Sequence, residues 1–338
     1  MKKLIIIVLI LLVCATVGGV LLILKNPGGM FDSYPEIILP ETDCKTQTVA
    51  IEFPFESSTV KGSVDLELAP YYGAQNAEKS AHLYGESAKN NDWMKNYYLA
   101  VTNDPALFDV YSKLTGFFQN YAAAHNLDDD EYIEMVTAYV QNIPYKTIGV
   151  NTKFPVETVI DNWGDCDDKS TLLAGLLSCA GFDTALLSYP DHMTCAVKTD
   201  RGVYVPVETT AVMFIGDTSG SNASGGIDLT SPLDMYKIGE GTKVYGSYDE
   251  VEKILQAEKK LTAKMESIET ELENLDKLMD EQKRKIDAGD RALVLAYNKN
   301  VNVYNGYVEE YNAAGKLIKR IYSEGYNRKG VYEAVKSV

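Results

Sequence analysis

The segment from Gly164 to Glu208 does most to limit what this chain can fold into. It opens on Gly164-Asp165-Cys166-Asp167-Asp168-Lys169-Ser170. Apolar residues at helical spacing follow through Leu172, Leu173, Leu176 and Leu177, until Gly181 stops the pattern. Extended runs come next at 184–189 and 194–198, then at 202–207, which ends on Glu208. One helix followed by short strands reads as α+β, with the helix packed on an antiparallel sheet.

The residue types along this segment carry chemistry. Cys166 stands where the helix begins, and there the exposed N–H groups and the dipole favour an anion and offer donors to an oxyanion. Of three histidines, His82 and His125 lie in polar, helical-looking sequence, whereas His192 opens a strand and can face a helix end. Glu208 closes the adjacent run, where a carboxylate would fix the tautomer of His192 and stabilise its imidazolium. Asp167 and Asp168 are expected to turn away from the sulfur as first-turn acids, with Lys169 as their partner. Cys179, flanked by Leu177, Ala180 and Phe182, reads as a buried, inert thiol.

Taken together, Gly-Asp-Cys followed by acids and Lys, the helix ending in Gly181-Phe182-Asp183, the His before a strand and Val207-Glu208-Thr209-Thr210 resemble the transglutaminase-like superfamily, relatives of papain. Upstream, Tyr139–Tyr145 and Phe154–Thr158 resemble the helix-to-loop lead-in of microbial members. The likeness spans residues 106–215 and implies a papain-like fold, with Cys166 as nucleophile, His192 as base and Glu208 as orienting acid. Many members carry Asp where this chain has Glu208. It also implies two cleft residues: Trp163, and Gln141 either as a side-chain oxyanion donor or as a solvated helix-end amide. Calcium held by Asp167 and Asp168, as in some secreted relatives, is a weaker implication, since the ion takes about six to eight oxygens.

Location follows from the first residues. Lys2 and Lys3 precede an uncharged run at 4–24, then Lys25, and about 20 such residues cross a bilayer. Residues 1–26 are therefore expected to be a retained anchor with the N-terminus cytoplasmic and the bulk of the chain outside. The formal charge is −16. Without Lys2, Lys3 and Lys25 it is −19, with 29 basic against 48 acidic side chains. Such a field repels nucleic acid and suits a solvated surface or a cationic substrate. Cys44, Cys166, Cys179 and Cys195 match no zinc spacing, and free thiols are the default, a Cys179–Cys195 bridge being the alternative.

The remaining chain divides into 27–72, a spacer with short strands near 49–53 and 60–68; 73–245, the enzyme-like domain with its leading helices; and 246–338. A Gly/Ser-rich loop at 216–226 carries the sequon Asn222-Ala223-Ser224. In the last part, Ile254, Leu261, Met265, Ile268, Leu272, Leu275, Met279 and Ile286 form a coiled-coil stripe interrupted by Glu258 and Gln282. After Asp287-Ala288-Gly289-Asp290, a Tyr-rich stripe runs from Leu293 to Ile318, so a helical hairpin is expected, with a parallel dimer as its rival. Self-association or partner binding through residues 250–322 follows as an expectation. The function expected is a membrane-tethered cysteine enzyme acting on an amide of a protein or peptide at the cell surface, without an organic cofactor and with hydrolysis favoured. The alternatives are a crosslinking transglutaminase and a non-catalytic scaffold that uses the hairpin.

Overall fold

The computed structural model describes residues 32–41, 45–85, 87, 92–147, 151–219 and 228–338. Among them the chain is α+β, with two antiparallel sheets and a C-terminal pair of long helices. No helix among these residues is long and apolar enough to cross a membrane. The expected anchor at 1–26, Cys44 and the Asn222 sequon all lie outside the described residues.

Strands β1 (Thr46–Phe55) and β2 (Ser58–Glu67) pair along their whole length. Alternation buries Val49, Ile51, Phe53 and Phe55 on one face of the hairpin. That face belongs to the main core: the Phe53 ring lies 6.3 Å from Phe118 and 5.7 Å from Tyr139. The segment expected to be a spacer thus carries a long hairpin that packs on the helices behind it.

Six helices follow: α1 (Ala69–Asn76), α2 (Asp92–Thr102), α3 (Phe108–His125), α4 (Asp129–Asn142), α5 (Pro155–Asp161) and α6 (Cys166–Cys179). Asn126 ends α3 in the left-handed region at φ 55°, and a reciprocal Asp128–Glu131 capping box starts α4. Helix α6 is buried nearly all round from Asp168 to Leu177, its apolar residues in the core and its first polar residues hydrogen-bonded within it. Its Gly175 lets α3 come close, since a Cβ there would lie 2.1 Å from Tyr111 Oη.

The second sheet has the order β5-β4-β3-β6, with β3 (Thr184–Tyr189), β4 (His192–Lys198), β5 (Tyr204–Val207) and β6 (Asp234–Lys237). Strands β3 and β4 join through Pro190-Asp191, where proline sets a negative φ and Asp191 takes φ 57°, the pattern of a type II turn. Their buried residues pack α6 on one face of this sheet, as the sequence order requires.

Helices α7 (Tyr248–Asp287) and α8 (Val294–Ser323) form an antiparallel hairpin, reversed at Gly289 with φ 111°. The 40 residues of α7 extend about 60 Å. At its base Val251, Ile254 and Ala257 join the main core with Val331 and Val335 of α9 (Arg328–Val335). Toward the tip, Leu272, Leu275, Tyr297 and Tyr304 are only half-buried, because two helices cover one side of the seam. The polar interruptions find partners across it: Asn300 donates to Gln282, and Tyr322 donates to Glu258.

Candidate active site

The start of α6 is built by its own acids. Asp165 accepts from the Asp168 N–H at 3.3 Å, and Asp168 accepts from the Asp165 N–H at 3.2 Å, a reciprocal cap. The second Asp168 oxygen accepts from Lys153 N at 2.7 Å, which ties the loop before α5 to the helix. Burial, then the charge of Asp165, pushes the Asp168 carboxyl up to about 6. Cys166 occupies the first turn, where neither its own N–H nor that of Asp167 has an acceptor among the described residues. These two donors point from the helix end.

His192 and Glu208 meet by register. Cys195 pairs with Val207, so one step further Glu208 lies across from Thr194, and His192 is its diagonal neighbour on the same face. Imidazole Nε2 lies 2.8 Å from Glu208 Oε2, with both side chains buried. The other carboxylate oxygen accepts from the Thr210 N–H at 2.7 Å and the Thr210 hydroxyl at 2.6 Å. Burial acts to raise the Glu208 pKa, but His192 and the Thr210 donors outweigh it and hold the carboxyl below its ordinary value. With Nε2 on the acid, Nδ1 is left as the nitrogen with a free lone pair.

The sulfur, at the start of α6, lies against the next residue of the same strand. Cys166 Sγ receives the backbone N–H of Met193, the neighbour of His192, while its own S–H donates to Asp167 Oδ1 at 3.4 Å. No hydrogen bond joins Sγ to the imidazole. Burial, followed by the Asp167 and Asp165 charges, pushes the thiol up to about 12, against the modest opposing pull of Met193 N–H. The expectation that Asp167 turns away from the sulfur is therefore corrected, although it holds for Asp168. Asp167 Oδ2 in turn accepts from Tyr98 Oη at 3.2 Å and Thr152 Oγ1 at 3.4 Å.

Two further expectations change, those for Lys169 and Gln141. Lys169 pairs with neither first-turn acid: it is fully buried and donates to Gln141 O at 3.2 Å and Ile143 O at 2.7 Å. Those carbonyls end α4 and have no partner within their own helix, which is what draws an ammonium to them. Burial pushes the Lys169 pKa down to about 8, with Glu208 pulling the other way. Gln141 is neither an oxyanion donor nor a solvated amide. It is buried, and its Nε2 donates to Glu208 O and Met213 O, each at 2.9 Å, so it anchors the acid's backbone. Trp163 is stacked by cations, with Lys153 Nζ 2.8 Å and Lys146 Nζ 4.9 Å from its ring centre.

Among the described residues no cluster of three or more His, Cys, Asp or Glu is disposed to hold a metal, and Asp167 and Asp168 face different partners. Cys179 is exposed, not buried, because it ends α6 where the helix leaves the core. Cys179 and Cys195 are both free, so the bridge considered for them is absent. Beside Asp167 opens a cleft of about 440 Å³, walled by Trp93, Met94, Tyr97 and Tyr98 with Thr152. Sequence reading passed over this cleft, although Trp93, Tyr97 and Tyr98 at helical spacing were its available signal. Comparison with protein-family models, curated proteins and solved structures finds no match for this chain.

Proposed function

We propose that this chain is a transglutaminase-like cysteine enzyme that cleaves or transfers an amide acyl group through a thioester at Cys166. The observation that carries this reading is the buried His192–Glu208 pair at 2.8 Å, on the strand whose next N–H touches the sulfur. With Nε2 bonded to Glu208, Nδ1 accepts the thiol proton once the S–H leaves Asp167. The thiolate attacks the amide carbon, and the N–H groups of Cys166 and Asp167 receive the developing oxyanion. Nδ1–H then protonates the departing amine. Water attacks the thioester, gives its proton back to Nδ1 and frees the carboxylic acid, whereas an amine in place of water would yield a new amide. Hydrolysis is the favoured branch, because water is present at every site of action.

The sequence of residues 1–26 supports a membrane-tethered chain with the enzyme outside the cytoplasm, acting on a protein or peptide at the cell surface. Reaction with p-nitrophenyl acetate tests the chemistry without knowledge of the substrate. Cys166 should become S-acetylated with release of p-nitrophenolate, and His192→Ala should abolish this. Acetylation confined to exposed Cys179, with or without an added guanidinium salt and with no effect of His192→Ala, would sink the enzymatic reading.

A second reading has an observation of its own. The S–H of Cys166 is bonded to Asp167 and the thiol is pushed up to about 12, which suits a scaffold that does no chemistry. Exposed Leu278, Leu295 and Val303 on the hairpin offer such a scaffold apolar contacts. Under that reading Cys166→Ala leaves cellular function intact, and excision of residues 247–321 destroys it.

A further inference from the structure

The cleft beside Asp167 has a composition that the acyl chemistry does not use. Its walls are aromatic: the Trp93 and Tyr97 rings are 6.3 Å apart and edge-on, and Tyr97 and Tyr98 are 5.3 Å apart. Tyr98 is itself braced by Tyr236, stacked at 5.5 Å. Asp167 is the one carboxylate among the lining residues, and it has no cationic partner among the described residues. The one lysine in the lining, Lys79, is already spent, with Nζ 2.7 Å from both oxygens of Glu157. An acid with no counterion among the described residues, in a cleft with aromatic walls, is complementary to an organic cation with a flat face. Cavity volume agrees, since about 440 Å³ accepts one long side chain and its backbone.

The same carboxylate holds the nucleophile. Oδ2 is fixed by Tyr98 and Thr152, so Oδ1 is the oxygen that both the Cys166 S–H and an incoming cation must share. A guanidinium N–H is a far stronger donor to a carboxylate than a thiol is. We infer that the cleft binds the guanidinium of an arginine in the substrate peptide, and that its bond to Asp167 displaces the Cys166 S–H and releases it toward His192 Nδ1. Asp167 is then a specificity-determining residue and a latch on the thiol. The release of the S–H rests on the reading of Cys166 as nucleophile, whereas the cation site stands without it.

The test uses the full chain in a non-ionic detergent, with Nα-acetyl-arginine methylamide as probe and its uncharged isostere Nα-acetyl-citrulline methylamide as control. The chain has two tryptophans, so Trp163→Phe leaves Trp93 as the only reporter in the cleft. Fluorescence titration should show the arginine compound binding at least about tenfold tighter than the citrulline compound, as one charge-assisted contact allows. Asp167→Asn should erase that difference while retaining the unfolding transition of the wild type. Iodoacetamide labelling of Cys166, read by peptide mass, should quicken about tenfold or more with the arginine compound and not with citrulline. Asp167→Asn should label fast without either compound. Equal binding of the two compounds, or discrimination that survives Asp167→Asn, overturns the site; labelling that ignores the arginine compound overturns the latch. Titration of the Cys166→Ala chain separates the two levels, because a failure of the enzymatic reading leaves the binding difference intact and a failure of this proposal removes it.

Discussion

Replacing Glu208 by glutamine changes one atom and should reverse the direction in which His192 can move a proton. Glu208 is only 1% exposed, with Oε1 taking two donors from Thr210 and Oε2 facing His192 Nε2 at 2.8 Å. A glutamine there has two orientations. Aiming its NH2 at Thr210 lets the hydroxyl turn to accept but leaves the Thr210 N–H facing a donor, at a cost of about 1–3 kcal/mol for a buried group left unpaired. The other orientation keeps the oxygen on Thr210 and turns the NH2 to Nε2, which must then be unprotonated. That orientation wins by about 1–3 kcal/mol, so the imidazole proton moves to Nδ1, the nitrogen the proposed mechanism needs as a base. Acetylation of Cys166 by p-nitrophenyl acetate should fall by about 10³- to 10⁴-fold, the scale of a wrong-tautomer defect in a triad. Nitrogen-15 NMR of His192 should show the proton's move directly. A rate within about threefold of wild type, with unaltered imidazole shifts, would refute the role given to Glu208. Stability supplies a second readout. The Glu208 carboxyl is held below its ordinary value, so its stabilisation is present above the unfolded pKa of about 4.3 and is lost as pH falls through the lower, folded value. Wild type should therefore lose more stability than Glu208→Gln as pH falls below about 4.3.

Gln141→Leu strands the carbonyls of Glu208 and Met213 in the core and should cost about 2–4 kcal/mol in denaturant unfolding, with a loss of acetylation larger than that of a remote core variant of equal stability. Arg328→Met should cost about 3–5 kcal/mol, because it leaves the largely covered Glu134 carboxylate without the guanidinium 2.5 Å away; Glu134→Gln in the same chain should recover most of it. Gly175→Ala drives a methyl into Tyr111 and should destabilise by about 1–3 kcal/mol, seen as a lower unfolding midpoint. Without an added cation, Cys166 at pH 8 should react with iodoacetamide about 10³-fold more slowly than a cysteine in an unstructured peptide, given a thiol near 12. Equal rates would contradict the buried, acid-flanked sulfur.

Periodicity made the elements legible where one face or one seam decides burial. The apolar run after Cys166, the three extended runs beyond it and both stripes of the hairpin stand close to where hydrophobic spacing puts them. His192 and Glu208 were also readable, because strand order and a short turn leave few ways to pair them. Side-chain direction within the first turn of α6 was not. Asp167 and Asp168 are adjacent acids on one turn, but the reciprocal cap with Asp165 claims Asp168 and leaves Asp167 against the sulfur. Lys169 follows two acids and so looks like a surface ion pair. Its partners are carbonyls at the end of a helix distant in sequence, which no local pattern reveals. Gln141 escaped for the same reason, since its acceptors lie far along the chain.

The clearest physical lesson concerns the competition at Cys166. A helix N-terminus contributes about 0.3–1 kcal/mol to an anion, and about 2 kcal/mol in favourable geometry. Removing a charge from water costs several kcal/mol, and a neighbouring carboxylate adds to that cost. Burial and Asp167 therefore prevail over the dipole, and the thiol is held protonated even though it sits where a thiolate is usually stabilised. The balance has one adjustable member. Burial is built into the packing of α6 against β4, whereas the Asp167 charge faces an open cleft and can be neutralised by whatever cation enters it. A thiol governed this way stays inert toward oxidants and stray electrophiles, which act on thiolates, and under the proposed latch reacts when the group that silences it is given a better partner. Hydrogen peroxide should accordingly oxidise exposed Cys179, at the far end of the same helix, well before Cys166 in the wild type, with the gap narrowing in Asp167→Asn.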